Sequence, residues 1–282
     1  MLKKLTERIY YMPHSKETDR PVLGLICGDK YSLVVDAGNS PAHAKEFMEA
    51  VSKLDIAPVK YLAITHWHWD HVFGIETMKL ITLCHIKTRE RLDYMQKLSW
   101  DDKALEERVR SGEEIEFCSE MIKKELPDRD GFKLGNADIS FDEKIEVDLG
   151  GTTCIIVNIG GSHSEDSSAI YVPEDQVMFL GDSISPDLYS GERSYYIDKV
   201  ISMTNKIKKY DTKTYLSSHD EPESSESLLE FLDELERIGG FAGEKAKFDN
   251  VIDEFVKIYG KEPNEDELFY IKTFINGNIN KS

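Results

Sequence analysis

The stretch "ITHWHWDHVFG", residues 64–74, constrains this chain more than any other. It places three histidines and an aspartate within six positions, His66 to His71, directly after the apolar run "YLAIT". In an extended chain, side chains two apart share a face, so His66 and His68 converge while Trp67 and Trp69 turn away and become a packing face. A strand ending at about Thr65, then a loop and a helix near Phe73, aims Asp70 and His71 in another direction. The stretch thus divides into two pairs of ligand-type side chains, each half of a set. Imidazole and carboxylate suit zinc, iron or manganese, and two-metal hydrolytic sites hold their ions about 3.5–4 Å apart. The density of such residues behind an apolar strand argues against a mere histidine-rich surface turn.

Two half-sets need completing ligands, and these are expected at later strand ends. His163 in "GGSHSEDS", Asp182 in "VMFLGDS" and His219 in "YLSSH" each follow an apolar strand and open a polar loop. Asp36 in "LVVDAG" stands in the same kind of place, where a turn role or support behind the ligands fits as well as ligation.

The rest of the chain reads as alternating layers. "VLGLIC", "YSLVVDAG", "YLAIT" and "KLITLCHI" carry strand signals, with "PAHAKEFMEAVSKL" a helix between them. Residues 87–138 are rich in charged residues at helical spacing and read as a helical excursion from the core. Strand signals return in "ISFDEKIEVDLGG", "TCIIVNIGG", "SAIYVP" and "QVMFLGD" at the spacing of a β meander. After "TYLSSH", the positions Leu228, Phe231, Leu232 and Leu235 mark one helix face, and residues 241–282 read as helices with a frayed polar tail. With no repeat or low-complexity linker, a single domain spanning 1–282, built of stacked α/β layers, is expected, with a helical insertion at about 87–138 and a C-terminal helical extension at about 241–282.

Charge narrows the partners. Among 282 residues, 35 are Lys or Arg and 53 are Asp or Glu, a net charge of −18 that repels nucleic-acid backbones. The N-terminus carries no apolar stretch of signal-peptide length, and no run approaches the ~18 apolar residues of a membrane span, so the expected location is the cytoplasm. Cys27, Cys84, Cys118 and Cys154 are far apart, with no Cys-x-x-Cys pair, and are expected to be reduced and buried. The partner is then a small-molecule substrate, with neither nucleic acid nor membrane.

In this order, Asp36, "HWHWDH", His163, Asp182 and His219 resemble the motifs of the metallo-β-lactamase fold superfamily. The resemblance implies an α/β fold, a four-layer αβ/βα sandwich with metals at one edge of two facing sheets. It implies one metal held by His66, His68 and His163, a second by Asp70, His71 and His219, and Asp182 bridging them. Asp36 corresponds to a non-ligand aspartate that supports the metal loop by hydrogen bonding. Lactamases of the commonest metal-dependent subgroup carry a cysteine where this chain has Asp182, so the site is more similar to the glyoxalase, lactonase and phosphodiesterase branches. "SHSED" keeps a lactamase-like spacing from His163 to Asp166. "CHIKTRERL" is similar to a segment that follows the metal motif in other members, and His85 within it is expected in the core or behind the ligands. His14 and His43 are expected on the surface.

The expected activity is that of a metal-dependent hydrolase with two divalent ions, zinc first, with iron or manganese as alternatives. A hydroxide bridging the ions would attack an ester, thioester, lactone or lactam-like bond, with Asp70 or Asp182 passing a proton to the leaving group. A mono-iron dioxygenase acting on thiol persulfides and a small-molecule phosphodiesterase are the alternatives the fold allows. A binding module without turnover is a third. The insertion is the candidate element for a homodimer contact or a cap over the pocket. Tyr189, Arg193, Tyr195, Tyr196, Trp100 and Phe117 are candidate pocket residues, with packing roles the simpler reading for each.

Overall fold

A computed structural model describes residues 1–242 and 251–281. Among these, a seven-stranded sheet runs in chain order through β1 (Lys3–Lys4), β2 (Ile9–Met12), β3 (Leu23–Cys27), β4 (Ser32–Val35), β5 (Val59–Ala63), β6 (Ile81–His85) and β7 (Ile139–Phe141). A six-stranded sheet follows, with β8 (Lys144–Asp148), β9 (Thr153–Asn158), β10 (Ser168–Val172), β11 (Val177–Gly181), β12 (Thr214–Ser217) and β13 (Glu223–Ser224). Both sheets are mixed: β4 to β7 pair in parallel, as do β11 and β12, and the other neighbours are antiparallel.

Period-two alternation builds the layers. Leu33 and Val35 of β4 and Ala63 of β5 face Ile170 and Val172 of β10 and Phe179 of β11 across the space between the sheets. Their neighbours Val34 and Leu62 turn outward under the helices of the first sheet, with Phe47, Trp69 and Phe73. On the far side Ala169, Met178 and Leu180 pack against Met203, Ile207, Leu228 and Leu232. The order is helices, sheet, sheet, helices, as the resemblance implied. Strands so covered on both faces are near-continuous apolar runs, which is why their sequences stand out.

The helices are α1 (Pro41–Val51), α2 (Trp69–Val72), α3 (Ile75–Met78), α4 (Ile86–Met95), α5 (Asp102–Ser111), α6 (Glu116–Glu125), α7 (Ile197–Ile207), α8 (Ser225–Ala242), α9 (Val251–Tyr259) and α10 (Glu265–Lys281). Ser40 caps α1 by accepting from His43 N, with Pro41 at the first helical position. The end of α8 joins α9 and α10 in a separate apolar cluster, Leu235, Ile238, Phe255, Ile271 and Phe274, anchored on Tyr195 and Val200. Residues 243–250 and 282 of the expected C-terminal extension lie outside the described residues. No helix of the described residues is long and apolar enough to cross a membrane. All four cysteines are buried and unpaired, as expected.

Three expectations need correcting. The block 87–138 is helical only through α4 to α6, and residues 126–138 form no regular element. It is not an excursion either: Leu92, Leu105, Cys118 and Ile122 are buried in the same cluster as Trp69 and Phe73, because its charged residues sit on the outward faces of amphipathic helices. "ISFDEKIEVDLGG" is not one strand of a meander. It breaks at Asp142–Glu143, with β7 closing the first sheet beside β6 and β8 opening the second beside β9, so the chain changes sheets within two residues.

Candidate metal centre

The C-terminal ends of the parallel pairs β4/β5 and β11/β12 lie together at one edge of the sandwich. Ser168 N donates to Thr65 O at 2.8 Å across the two sheets, and Val22 N donates to Ser218 O at 2.7 Å. Loops leaving these strand ends converge, the place where layered α/β proteins carry their sites.

The metal loop starts earlier than expected. Strand β5 ends at Ala63, and α2 begins at Trp69 with His68 as its N-cap residue. Residues 64–68 therefore form a loop, and the two tryptophans do not share a packing face. Trp69 is buried, its ring 5.7 Å from Phe73. Trp67 is partly exposed, lies 4.4 Å from the His68 ring, and donates from Nε1 to Ser164 Oγ at 3.1 Å.

Two clusters form. In the first, His66 Nε2 lies 3.0 Å from His68 Nδ1, and His163 Nε2 lies 3.3 Å from His66 Nε2 and 2.8 Å from His68 Nδ1. Tetrahedral ligands bound at ~2.0–2.1 Å sit about 3.3 Å apart, so these nitrogens are spaced to share one ion. The second cluster holds Asp70, His71, Asp182 and His219. Asp70 Oδ2 is 3.0 Å from His71 Nε2 and 3.3 Å from His219 Nε2. Asp182 touches both clusters: Oδ1 is 3.7 Å from His71 Nε2, while Oδ2 is 3.5 Å from His219 Nε2 and 3.6 Å from His163 Nε2. All seven expected ligand residues are thus brought together.

Hydrogen bonds behind the rings orient them. Asp36 lies at the end of β4 with φ 61° and accepts from Thr65 N at 2.8 Å, Thr65 Oγ1 at 2.9 Å and His71 Nδ1 at 2.8 Å. A carboxylate only accepts, so His71 donates from Nδ1, which leaves Nε2 as the ring atom turned into the cluster. Thr65 Oγ1, its own proton committed to Asp36, accepts from His66 Nδ1 at 3.1 Å. His163 Nδ1 donates to Pro186 O at 3.1 Å. Gly181, at φ +58°, makes room for this network, since a Cβ there would lie 2.7 Å from Thr65 Oγ1.

Burial, and then the neighbouring imidazoles, push His66 and His68 well below the usual histidine range, leaving them neutral as ligands must be. Burial alone would raise the Asp70 and Asp182 carboxyls, but His71 and His219 outweigh it and hold both ionised. Asp70 Oδ2, His71 Nε2 and Asp182 Oδ1 are buried without a hydrogen bond. They meet one another only as charged contacts, and a divalent cation among them would engage all three. The donor set fits two divalent ions.

Some contributors went unassigned in the sequence. Asp166 is buried and accepts from Trp67 N at 2.9 Å, Thr88 Oγ1 at 2.7 Å and Ser164 Oγ, tying the metal loop to α4 and to the loop carrying His163. Its spacing from His163 was visible; its partners were not. Asp19, from a polar loop with no distinguishing pattern, reaches 3.6 Å from His219 Nδ1, and burial together with the Asp70 charge pushes its carboxyl up to about 6 in the metal-free protein.

His85 is buried outside both clusters, where its Nδ1 accepts from Lys87 N at 3.3 Å and caps α4. His43, expected on the surface, is buried, with Nδ1 unpartnered and the ring pushed down to about 3 by burial and then by the Arg20 charge. Its place on the inner face of α1, between Ser40 and Phe47, takes it into the core. Of the candidate pocket residues, Tyr189 lies 5.0 Å from the His68 ring and donates to Glu114 Oε1 at 2.9 Å. Tyr195 and Trp100 are buried, and Phe117 is exposed on α6.

Comparison with known proteins places this geometry. The model of the Metallo-beta-lactamase superfamily matches residues 22–219, which contain both clusters and Asp36. No curated protein matches the sequence. Among solved structures, the chain is similar to a metallo-beta-lactamase from Pontibacter korlensis, with 14% identity and a TM-score of 0.56 over 83% of this chain and 97% of that one. DIM-1 metallo-beta-lactamase gives 15% identity and a TM-score of 0.57 over 84% and 96% of the two chains. The stereoselective inverting sec-alkylsulfatase Pisa1 from Pseudomonas sp. aligns with 96% of this chain at 14% identity and a TM-score of 0.64, but only 47% of its own length is spanned. At such identities the likeness concerns the fold. The family match over most of the chain, with His66, His68, Asp70, His71, His163, Asp182 and His219 gathered at one sheet edge, shows that this protein belongs to the metallo-beta-lactamase superfamily, as an enzyme with a two-cluster metal site.

Proposed function

We propose that the protein hydrolyses an ester, thioester, lactone or lactam-like bond of a small molecule, using two divalent ions, zinc first. The observation that carries this is Asp182, whose carboxylate faces His163 of one cluster and His71 and His219 of the other. His66, His68 and His163 would hold one ion, Asp70, His71 and His219 the second, with Asp182 between them. Two bound cations supply an acidified water and charge to stabilise an oxyanion. Asp70, kept ionised against burial, is the carboxylate that would take a proton from the acidified water, through the oxygen the ion does not engage, and return it to the leaving group. Asp36 and Thr65 keep the imidazoles in the tautomers this needs.

The mono-iron dioxygenase reading asks for one ion. It leaves the second cluster, with Asp70 Oδ2 and His71 Nε2 buried and turned into it, holding no ion, which favours the two-ion hydrolase. Metal analysis of purified protein, run with chromogenic ester, lactone, lactam and phosphodiester substrates, tests the choice. Two zinc equivalents with acyl-ester or lactone turnover are expected. A single iron with oxygen uptake on thiol persulfides, or turnover of phosphodiesters alone, would overturn it.

A further inference from the structure

The two clusters differ in what covers them, and the difference indicates where a substrate lies and what charge it carries. Over the first cluster, Trp67 and Tyr189 close on the His68 ring at 4.4 and 5.0 Å, and Tyr189 is tied by its hydroxyl to Glu114. Beside the second, His219 keeps 32% of its side chain exposed. A cavity of about 500 Å³ adjoins it, lined by Asp182 and His219, by the chain following each, and by the first turns of α8. That volume suits a small organic molecule.

The lining has a definite chemistry. Ile184, Tyr195 and Phe231 form an apolar and aromatic wall. Ser217 lines the cavity too, 95% buried by virtue of its 5% exposure, with its hydroxyl lacking any hydrogen-bond partner. Buried hydroxyls rarely lack partners, so this one marks hydrogen-bonding capacity that the chain leaves unused beside the cavity. Asp220, Glu221 and Glu223 complete the lining, and among the described lining residues there is no lysine or arginine. Glu221 is held by Lys3 at 3.1 Å, whereas Glu223 accepts from the neutral Ser227 hydroxyl at 3.0 Å. Bound ions would make the Asp182 and His219 end electropositive toward the scissile group, whereas a tail lying along Asp220 and Glu223 meets carboxylates, which repel an anion and attract an ammonium group near the aromatic wall.

Resting on the hydrolase reading above, we propose that this cavity is the substrate pocket and that it selects molecules bearing an ammonium group, placing the scissile bond toward Asp182 and His219 and the cation toward Asp220 and Glu223. Sulfate, phosphate and carboxylate tails are disfavoured. One ammonium group near two partly screened carboxylates is expected to bring about a tenfold preference over an equally long carboxylate.

The test uses two probes on the metal-loaded protein. The first is a matched set of 4-nitrophenyl esters whose acyl chains end in trimethylammonium, methyl or carboxylate. The second is calorimetric titration with the trimethylammonium and carboxylate ethers of the same length, which have no bond to cleave. Expected are tighter binding and higher kcat/KM for the cation, with the preference collapsing toward unity in the Asp220→Asn, Glu223→Gln double variant. Binding that ignores charge, or a preference the double variant leaves intact, overturns the pocket assignment. Charge-selective ether binding without turnover of any ester, or of thioester, lactone and lactam probes run beside them, upholds the pocket and overturns the hydrolase reading instead.

Discussion

The two clusters share the segment His66–His71 and differ in almost every physical respect. His66, His68 and His163 form an all-imidazole set, buried and covered by aromatic rings. Asp70, His71, Asp182 and His219 mix carboxylates with imidazoles and open to a cavity through His219. Neutral nitrogens can be buried cheaply and sealed, whereas carboxylates in low dielectric need a cation or protonated partners. In the metal-free protein the second cluster supplies that partner itself: burial opposes it, but Asp70 and Asp182 raise His71 and His219 well above the usual histidine range. A cation held there would replace those protons, while one held in the first cluster would meet imidazoles that are already neutral.

Removing the residue common to both clusters should have the largest effect. Asp182→Asn is expected to lower kcat/KM on the order of a thousand-fold and to reduce the metal content measured by elemental analysis. His163→Ala and His219→Ala should each cost one metal equivalent, and a chelator should strip the exposed His219 side of the wild type before the sealed side. Single-phase stripping would break the contrast between closed and open clusters. Asp36→Ala, which frees both His71 and Thr65, should weaken metal affinity about 10- to 100-fold at both sites, read by competition with a metal indicator.

His43 separates burial from ligation, since it is buried with no cation to bind. Its folded value of about 3 lies below the ordinary ~6.5, so the folded state keeps it neutral while the unfolded state takes up a proton as pH falls below 6.5. The stability it allows is therefore full above 6.5 and is lost as pH falls toward 3, by about 2 kcal/mol at pH 5. Denaturant midpoints of a His43→Leu variant should show a shallower decline between pH 6.5 and 4 than the parent. An unchanged slope would assign acid sensitivity to the metal clusters alone.

The residues of the two clusters were legible because they stand where apolar strands turn polar, a local pattern that needs no knowledge of the fold. The layered architecture was legible for the same reason: alternating and continuous apolar runs record which faces are covered. What failed was information held by neighbours distant in the chain. "ISFDEKIEVDLGG" reads as one strand, since nothing local says that Phe141 pairs with His85 in one sheet while Lys144 pairs with Val157 in the other. Residues 87–138 look peripheral by charge, yet their few apolar positions complete the core against Trp69 and Phe73.

The sequence by itself determined the set of histidines and aspartates in the two clusters and their placement at strand ends, because side-chain type and the end of an apolar run are local properties; the period-two reason for the pairing did not hold, since residues 64–68 form a loop. Asp182 between the clusters and Asp36 behind the loop were implied by resemblance alone; tertiary structure decided that Asp166 ties the loop to α4, that Tyr189 closes one side, and that the other opens to a cavity with acidic and aromatic lining. Those are distances between residues up to about a hundred and fifty positions apart, such as Asp70 and His219 at 3.3 Å, and only the folded packing sets them.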